Sequence, residues 1–186
     1  MDKVFRIECT VKAASDERAK SIFRLACRRL LNVHDWIRLS DCLLSTSEHR
    51  DFYGAEVSRS VRTDDYINLT NQSLRPFGWM HVLFVAENEE ENGGEVALVA
   101  RPVKLPFHPD NESQVEAKPA LLRVVRKGLD VTAGFVMEGN PVATVFERLG
   151  VYAIQWRSLV NGILGDLTPA LEQELTDQIE TGSRFA

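Results

Sequence analysis

One segment restricts the fold more than any other. Val145, Leu149, Tyr152, Trp156, Leu159 and Ile163 recur at steps of four and three, the spacing of one helix face. Phe146, Ala153, Val160 and Leu164 widen that stripe beyond what a one-sided contact needs. A curved partner can cover one strip of such a helix densely while the other strip faces a space. Thr144 and Glu147 read as a capping box ahead of it, and Gly165 is placed to stop it.

The partner is legible upstream. Residues 4–12 alternate, with Phe5, Ile7, Cys9 and Val11 on one face and Arg6, Glu8, Thr10 and Lys12 on the other, which is a half-buried strand. Ser15 then caps a helix whose Ala19, Ile22, Phe23, Ala26, Leu30 and Leu31 share a face, and Asn32 is suited to end it in a left-handed conformation. Lys20, Arg24 and Arg28 line its other side, read as a solvated face in preference to an anion site. Short strand-like segments follow at 41–47, 55–61, 65–70, 79–87, 95–103, 120–127 and 131–138, separated by turn chemistry. Asn88–Gly94 reads as a polar hairpin loop, Gly128-Leu129-Asp130 as a tighter turn, and the proline-bearing 104–119 stretch as a long loop. Residues 1–165 are expected to form one α+β domain. Residues 166–186 add a short acidic helix from Thr168-Pro169, with Leu171, Leu175 and Ile179 on one side, and a frayed tail.

Composition removes several function classes. The 186 residues carry a net charge of −5, and residues 1–62 hold 12 Lys+Arg against 9 Asp+Glu, too small an excess for a nucleic-acid partner. The longest apolar run, Val82–Ala86, is far below the ~20 residues of a membrane span. The polar–apolar alternation that starts near Val4 does not read as a signal peptide, so a cytoplasmic protein is expected. Cys9, Cys27 and Cys42 contain no CxxC pair and read as free thiols, and neither a metal nor a cofactor is expected.

Candidate chemistry is sparse. His34-Asp35 reads as a helix-terminus histidine beside an N-cap for Trp36-Ile37-Arg38, His49-Arg50-Asp51 as a solvated turn, and Asp64-Asp65 as a turn entering a strand. His81 shares a strand face with Trp79, Leu83 and Val85; were that face internal, it would be a hydrogen-bonded polar group in an apolar chamber. Tyr152 and Trp156, one turn apart, are either plain core or polar handles in a pocket. No GxSxG, HExxH, Walker A or Rossmann glycine pattern occurs.

One strand, a helical segment leading to Asp35-Trp36, a run of antiparallel strands and a long closing helix over 144–164 is an order of elements that resembles the START/Bet v 1-like, helix-grip superfamily. Two features depart from its usual pattern: the first helix reads as continuous, and no glycine-rich loop joins the early strands. The resemblance implies a curved antiparallel sheet gripping the C-terminal helix, often with an apolar cavity between them; an unrelated antiparallel α+β sandwich is the other arrangement open to this pattern. Gln155-Trp156-Arg157-Ser158-Leu159 is also similar to a segment of uncharacterised bacterial domain proteins, which imply no activity. The expected function is non-catalytic binding of an apolar or amphipathic small molecule, with Trp156, Tyr152, Leu149, Phe135, Trp79 and His81 lining the cavity. The alternatives are a protein-interaction module with a filled core, using a protein partner or a homodimer, and an enzyme with His81 as acid–base.

Overall fold

The computed structural model describes residues 4–71, 76–103, 119–138 and 146–165, without the side chains of 76, 77, 138 and 146–153. The Thr144/Glu147 box, most of the 104–119 loop and the helix expected after Thr168 lie outside these residues, as do the side chains of Leu149 and Tyr152.

The chain begins with strand β1 (Val4–Lys12), whose alternation buries Ile7 and packs Phe5, Cys9 and Val11 against the core. Helix α1 (Asp16–Leu31) starts where the Ser15 hydroxyl accepts the Arg18 N–H at 3.2 Å, with Asp16 and Glu17 at the positive end of the helix dipole. It does not end in a left-handed residue: Asn32 sits at φ −90°, and a single 3-10 turn (Val33–Asp35) leads into α2 (Trp36–Leu39). The first helix is continuous over Asp16–Leu31, as expected, and the short turn and α2 follow it. Asp35 caps no helical N–H; it accepts instead from the Asn32 side-chain amide at 2.8 Å.

Six further strands follow: β2 (Leu44–Arg50), β3 (Tyr66–Asn71), β4 (Pro76–Glu90), β5 (Gly93–Val103), β6 (Ala120–Lys127) and β7 (Asp130–Glu138). The strand expected at 55–61 is absent. That stretch is irregular, meeting β2 only through an isolated Arg50–Glu56 bridge, with the Val57 N–H donating to the His49 carbonyl. The hairpin loop expected at Asn88–Gly94 shrinks to Glu91-Asn92, because β4 and β5 stay paired to Glu90 and Gly93. The Gly128 turn forms as expected, with Gly128 at φ +57°, a conformation glycine adopts without cost.

The strands make one antiparallel sheet in the order β1-β7-β6-β5-β4-β3-β2, and register shifts interrupt β2/β3, β3/β4 and β4/β5. Bulges of this kind bend a sheet and increase its twist. Among the described residues, the helices lie on one face. Helix α1 packs over β6 and β7 and less over β5, while α3 (Phe146–Leu164) packs over β1 and β7 and touches α1, α2 and β2. A curved sheet closed on a long C-terminal helix is the helix-grip architecture.

The fit of α3 is tight at its end. A Cβ on Gly162 would overlap the backbone carbonyl of Leu39, so only glycine lets α2 and α3 approach this closely. Arg29, buried on α1, donates to the carbonyls of Gly162, Ile163 and Gly165 at 3.0, 3.2 and 2.7 Å, a cation placed at the negative end of the α3 dipole.

Candidate functional site

Of the six residues expected to line one cavity, the four whose side chains are described do not converge. Phe135 and Trp156 meet on the helix-covered face, their rings stacked at 4.5 Å and 14°, both buried. Trp36 closes edge-on against Trp156 at 6.1 Å, and Phe5 edge-on against Phe135 at 6.1 Å. These aromatics fill the space where α3 crosses β7 and β1. Trp79 and His81 lie on the other face. They alternate with Met80 and Val82, which belong to the core, and successive strand side chains point to opposite sides. The expected common face of His81 with Val85 is lost because the β4/β5 register shifts between Val82 and Phe84, which turns Val85 toward the core.

On that outer face Tyr66, His81 and Arg101 stand in one row across β3, β4 and β5, with the Tyr66 and His81 rings stacked at 4.6 Å. His81 Nε2 is 3.4 Å from an Asp64 carboxylate oxygen, close enough for charges to interact but not aligned as a hydrogen bond. Burial lowers the His81 pKa from its ordinary value, and the nearby Asp64 charge only partly offsets this.

A second histidine is a larger surprise. His49, assigned to solvent on sequence grounds, is wholly buried, and so is Asp65. His49 Nε2 lies 2.8 Å from Asp65 Oδ2, and the Arg59 guanidinium grips both carboxylate oxygens at 2.7 and 2.9 Å. The Arg62 backbone N–H donates to the same carboxylate at 2.8 Å. Burial pushes the Asp65 pKa up, but the Arg59 and His49 hydrogen bonds and the Arg62 N–H outweigh it and leave it below the usual carboxylate value. For His49 burial dominates and the pKa falls, so a neutral imidazole donates Nε2–H to an ionised carboxylate. The cluster ties β2 to the irregular 57–65 segment and, through the Asp65 carbonyl accepting the Val82 N–H, to β4.

The space suited to a ligand lies elsewhere, between α1 and the β4–β5 hairpin. A groove of about 520 Å³ opens there, floored by the buried Phe23, Cys27, Leu31 and Val96. Its rim carries Arg24, Arg28, Ser60, Glu87, Asn88 and Glu89. The position follows from packing, since α1 leans on β6 and β7 and leaves the β5–β4 side less covered. Arg24 spans the groove to Glu89, with Nη2 at 3.0 Å and Nε at 3.1 Å from Oε1. Burial first, and then the charges of Glu87 and Glu89, push the Cys27 thiol up to about 12, so it stays protonated and is a poor nucleophile. On sequence grounds Arg24 and Arg28 belong to a solvated face, Glu87 to the end of a strand and Glu89 to the Asn88–Gly94 loop; the paired hairpin brings all four to one rim.

A second, polar pocket of about 310 Å³ lies where α2 meets the end of α3, between Arg38, Asp41, Ser158 and Asn161. Among the described residues no group of three or more His, Cys, Asp or Glu could hold a metal ion, and no helix is long and apolar enough to cross a membrane.

No family model matches the chain, and no curated protein matches it. Solved structures do. Protein Ms6760 of Mycobacterium smegmatis is 12% identical over 88% of this chain and 90% of its own, at a TM-score of 0.50. Protein NE0264 of Nitrosomonas europaea is 14% identical over 92% and 96%, at 0.48, and the major latex-like protein 151 of Panax ginseng 12% identical over 89% and 99%, at 0.45. At such identities the likeness concerns the fold alone.

Proposed function

We propose that this protein binds an apolar or amphipathic small molecule, without catalysing its conversion, in the groove between α1 and the β4–β5 hairpin. The observation that carries the reading is the groove itself: about 520 Å³ with four buried apolar side chains as floor and a polar rim. Small-molecule sites have this composition, an apolar body with a few placed polar groups, at volumes of about 300–1,000 Å³. The residues first expected at the site divide between two faces, so Phe135 and Trp156 serve as packing and His81 stands apart from the groove. The described lining of the groove includes no residue of α3, so Leu149 and Tyr152 are not part of this proposal.

A saturable shift of a hydrophobic fluorophore, near one equivalent on the native protein, is the expected result. Ser60→Trp, which covers the groove from an exposed position, and Cys27→Phe, which fills it from the floor, should both weaken binding at least tenfold while the circular dichroism stays native. Unchanged affinity in both variants, or no binding to the folded native protein, refutes the groove. The alternative is an interaction module with a filled core, and it draws on the dense aromatic packing at Trp156 and on Phe52 and Tyr53, which stand exposed together on the loop after β2.

A further inference from the structure

One stretch of chain belongs both to the buried polar cluster and to the groove. Residues 57–65 run toward β3 without regular structure, and Ser60 within them lines the groove. Its neighbour Val61 is buried, and the Val61 N–H donates at 2.9 Å to the carbonyl of Leu31, part of the groove floor. On the other side, Arg59 Nη1 donates at 2.9 Å to the Ser60 carbonyl while the guanidinium grips Asp65. Asp65 in turn is held by His49 of β2 at 2.8 Å. The groove wall at Ser60 is thus fastened to the sheet through Arg59, Asp65 and His49.

That fastening is balanced in one protonation state only. The Asp65 carboxylate is matched by the Arg59 guanidinium, and a neutral His49 adds a hydrogen bond without a charge. The other ring nitrogen, His49 Nδ1, is buried and has no hydrogen-bond partner among the described residues. A proton arriving there is a donor without an acceptor, and it leaves the buried cluster with one positive charge in excess. Both effects cost free energy that water removes once the segment lifts away from β2. The charged and titratable groups facing His49 are Asp65 and Arg59 from this segment and His34 from the 3-10 turn, its ring 5.4 Å away. Across β3 the partner of His49 is the uncharged Ile67. Asp65 alone favours a charge on His49, and it already shares its own with Arg59.

Resting on the groove as the binding site, we infer that His49 is an acid-sensitive latch on its wall: neutral, it keeps residues 57–65 closed and the ligand held, and protonated, it frees them and releases the ligand. The direction follows from the orphaned Nδ1, which only the opened segment exposes to water. The ligand acts back on the latch, since holding the wall closed holds His49 neutral.

Nile red, uncharged over the whole range, is titrated onto the native protein from pH 8 to pH 5.5 at constant ionic strength. Affinity should stay nearly level to pH 7 and fall about fivefold by pH 5.5, below the ceiling of about tenfold that one histidine titrating near 6.5 in the opened state allows. His49→Gln, whose amide still donates to Asp65 but takes up no proton, should lose the fall, and His34→Gln should keep it. Amide hydrogen exchange of the unliganded native protein is the second readout, and it decides alone if His49→Gln does not fold. Protection of residues 57–65, corrected for intrinsic exchange, should drop between pH 7 and pH 5.5 while that of β6 holds. Level affinity down to pH 5.5, a fall that survives His49→Gln, or unchanged protection of 57–65 overturns the latch and leaves the groove standing. If Nile red does not bind the folded native protein at pH 8, the groove fails and the latch with it.

Discussion

Replacing Trp156 by Ala removes the centre of an aromatic chain that joins α2, α3, β7 and β1. The indole is 4% exposed, stacked on Phe135 at 4.5 Å and met edge-on by Trp36 at 6.1 Å. Truncating a buried aromatic of this size costs about 3–5 kcal/mol, and the surrounding rings cannot collapse into the space without leaving their own contacts. Aromatic pairs add about 0.5–1.5 kcal/mol each beyond burial, partly counted already in that figure. The expected loss is therefore near the upper end, about 4–5 kcal/mol, a large part of the ~5–15 kcal/mol that holds a domain together. Urea titration followed by far-ultraviolet circular dichroism measures it without depending on the deleted fluorophore. With a slope of about 2 kcal/mol per molar, the midpoint should fall by about 2 M. Ile154→Ala is the control: it lies on the same helix, 61% exposed, and should shift stability by less than about 0.5 kcal/mol. A Trp156→Ala loss below about 1 kcal/mol would mean that the sheet does not grip α3 through this contact.

Gly162→Ala should destabilise by at least about 2 kcal/mol in a thermal melt although alanine is the better helix former by ~1 kcal/mol, because the new methyl meets a backbone carbonyl that cannot rotate away; a raised melting temperature would contradict the α2–α3 approach. The His49–Asp65 pair should make stability fall on acidification. Both groups have lowered pKa values in the folded protein, so the unfolded chain binds more protons as pH drops. Urea midpoints should hold between pH 8 and 7, decline as pH falls through about 6.5, the unfolded histidine value, and decline further below about 4 as carboxylates protonate. His49→Gln should remove the first part of that decline, and a midpoint that rises toward pH 5 is incompatible with a buried neutral His49.

What could be read in advance, and what could not, divides along the bulges. In β1 and in β6–β7 the pairing runs without a shift, and Ile7, Leu122, Val124 and Ala133 fall inside as alternation dictates. In β2 the shift between Thr46 and Glu48 puts both Leu44 and His49 in the interior, five residues apart, a spacing no period-2 reading allows. That is why a histidine in a polar-looking run was expected in water. The same device in β4 separated His81 from Val85 and carried Glu87 to the helix side. The hairpin was misread for a long-range reason. Arg126 of β6, buried itself, donates to the carbonyls of Glu90, Glu91 and Gly93 and pairs with Asp16 of α1, so four separate segments decide how far β4 and β5 stay paired. The closing helix was legible because a wide apolar stripe needs no partner's register to be recognised.

These same contacts explain why the groove can be a lasting feature of the fold. Three props fix α1 to the sheet around it: the Arg126 clasp between Asp16 and the hairpin turn, the Phe23 ring lodged over Gly94 where even a Cβ would collide, and the Arg24–Glu89 strut. The strut is exposed at both ends and exchangeable with water, and so contributes little to stability, whereas Arg126 of the clasp is buried although its partner Asp16 is exposed. The other two set the spacing of α1 from β4 and β5 before any ligand arrives. Between the props the side chains are short, with Cys27 and Val96 below and Ser60 at the rim, and a helix held off a sheet over short side chains cannot close the gap by relaxing. A ligand entering a site held in this way orders little of the protein, so more of the free energy of burying its apolar part appears as affinity. The strut is then the adjustable member: Arg24 and Glu89 can part without disturbing the frame that sets the groove.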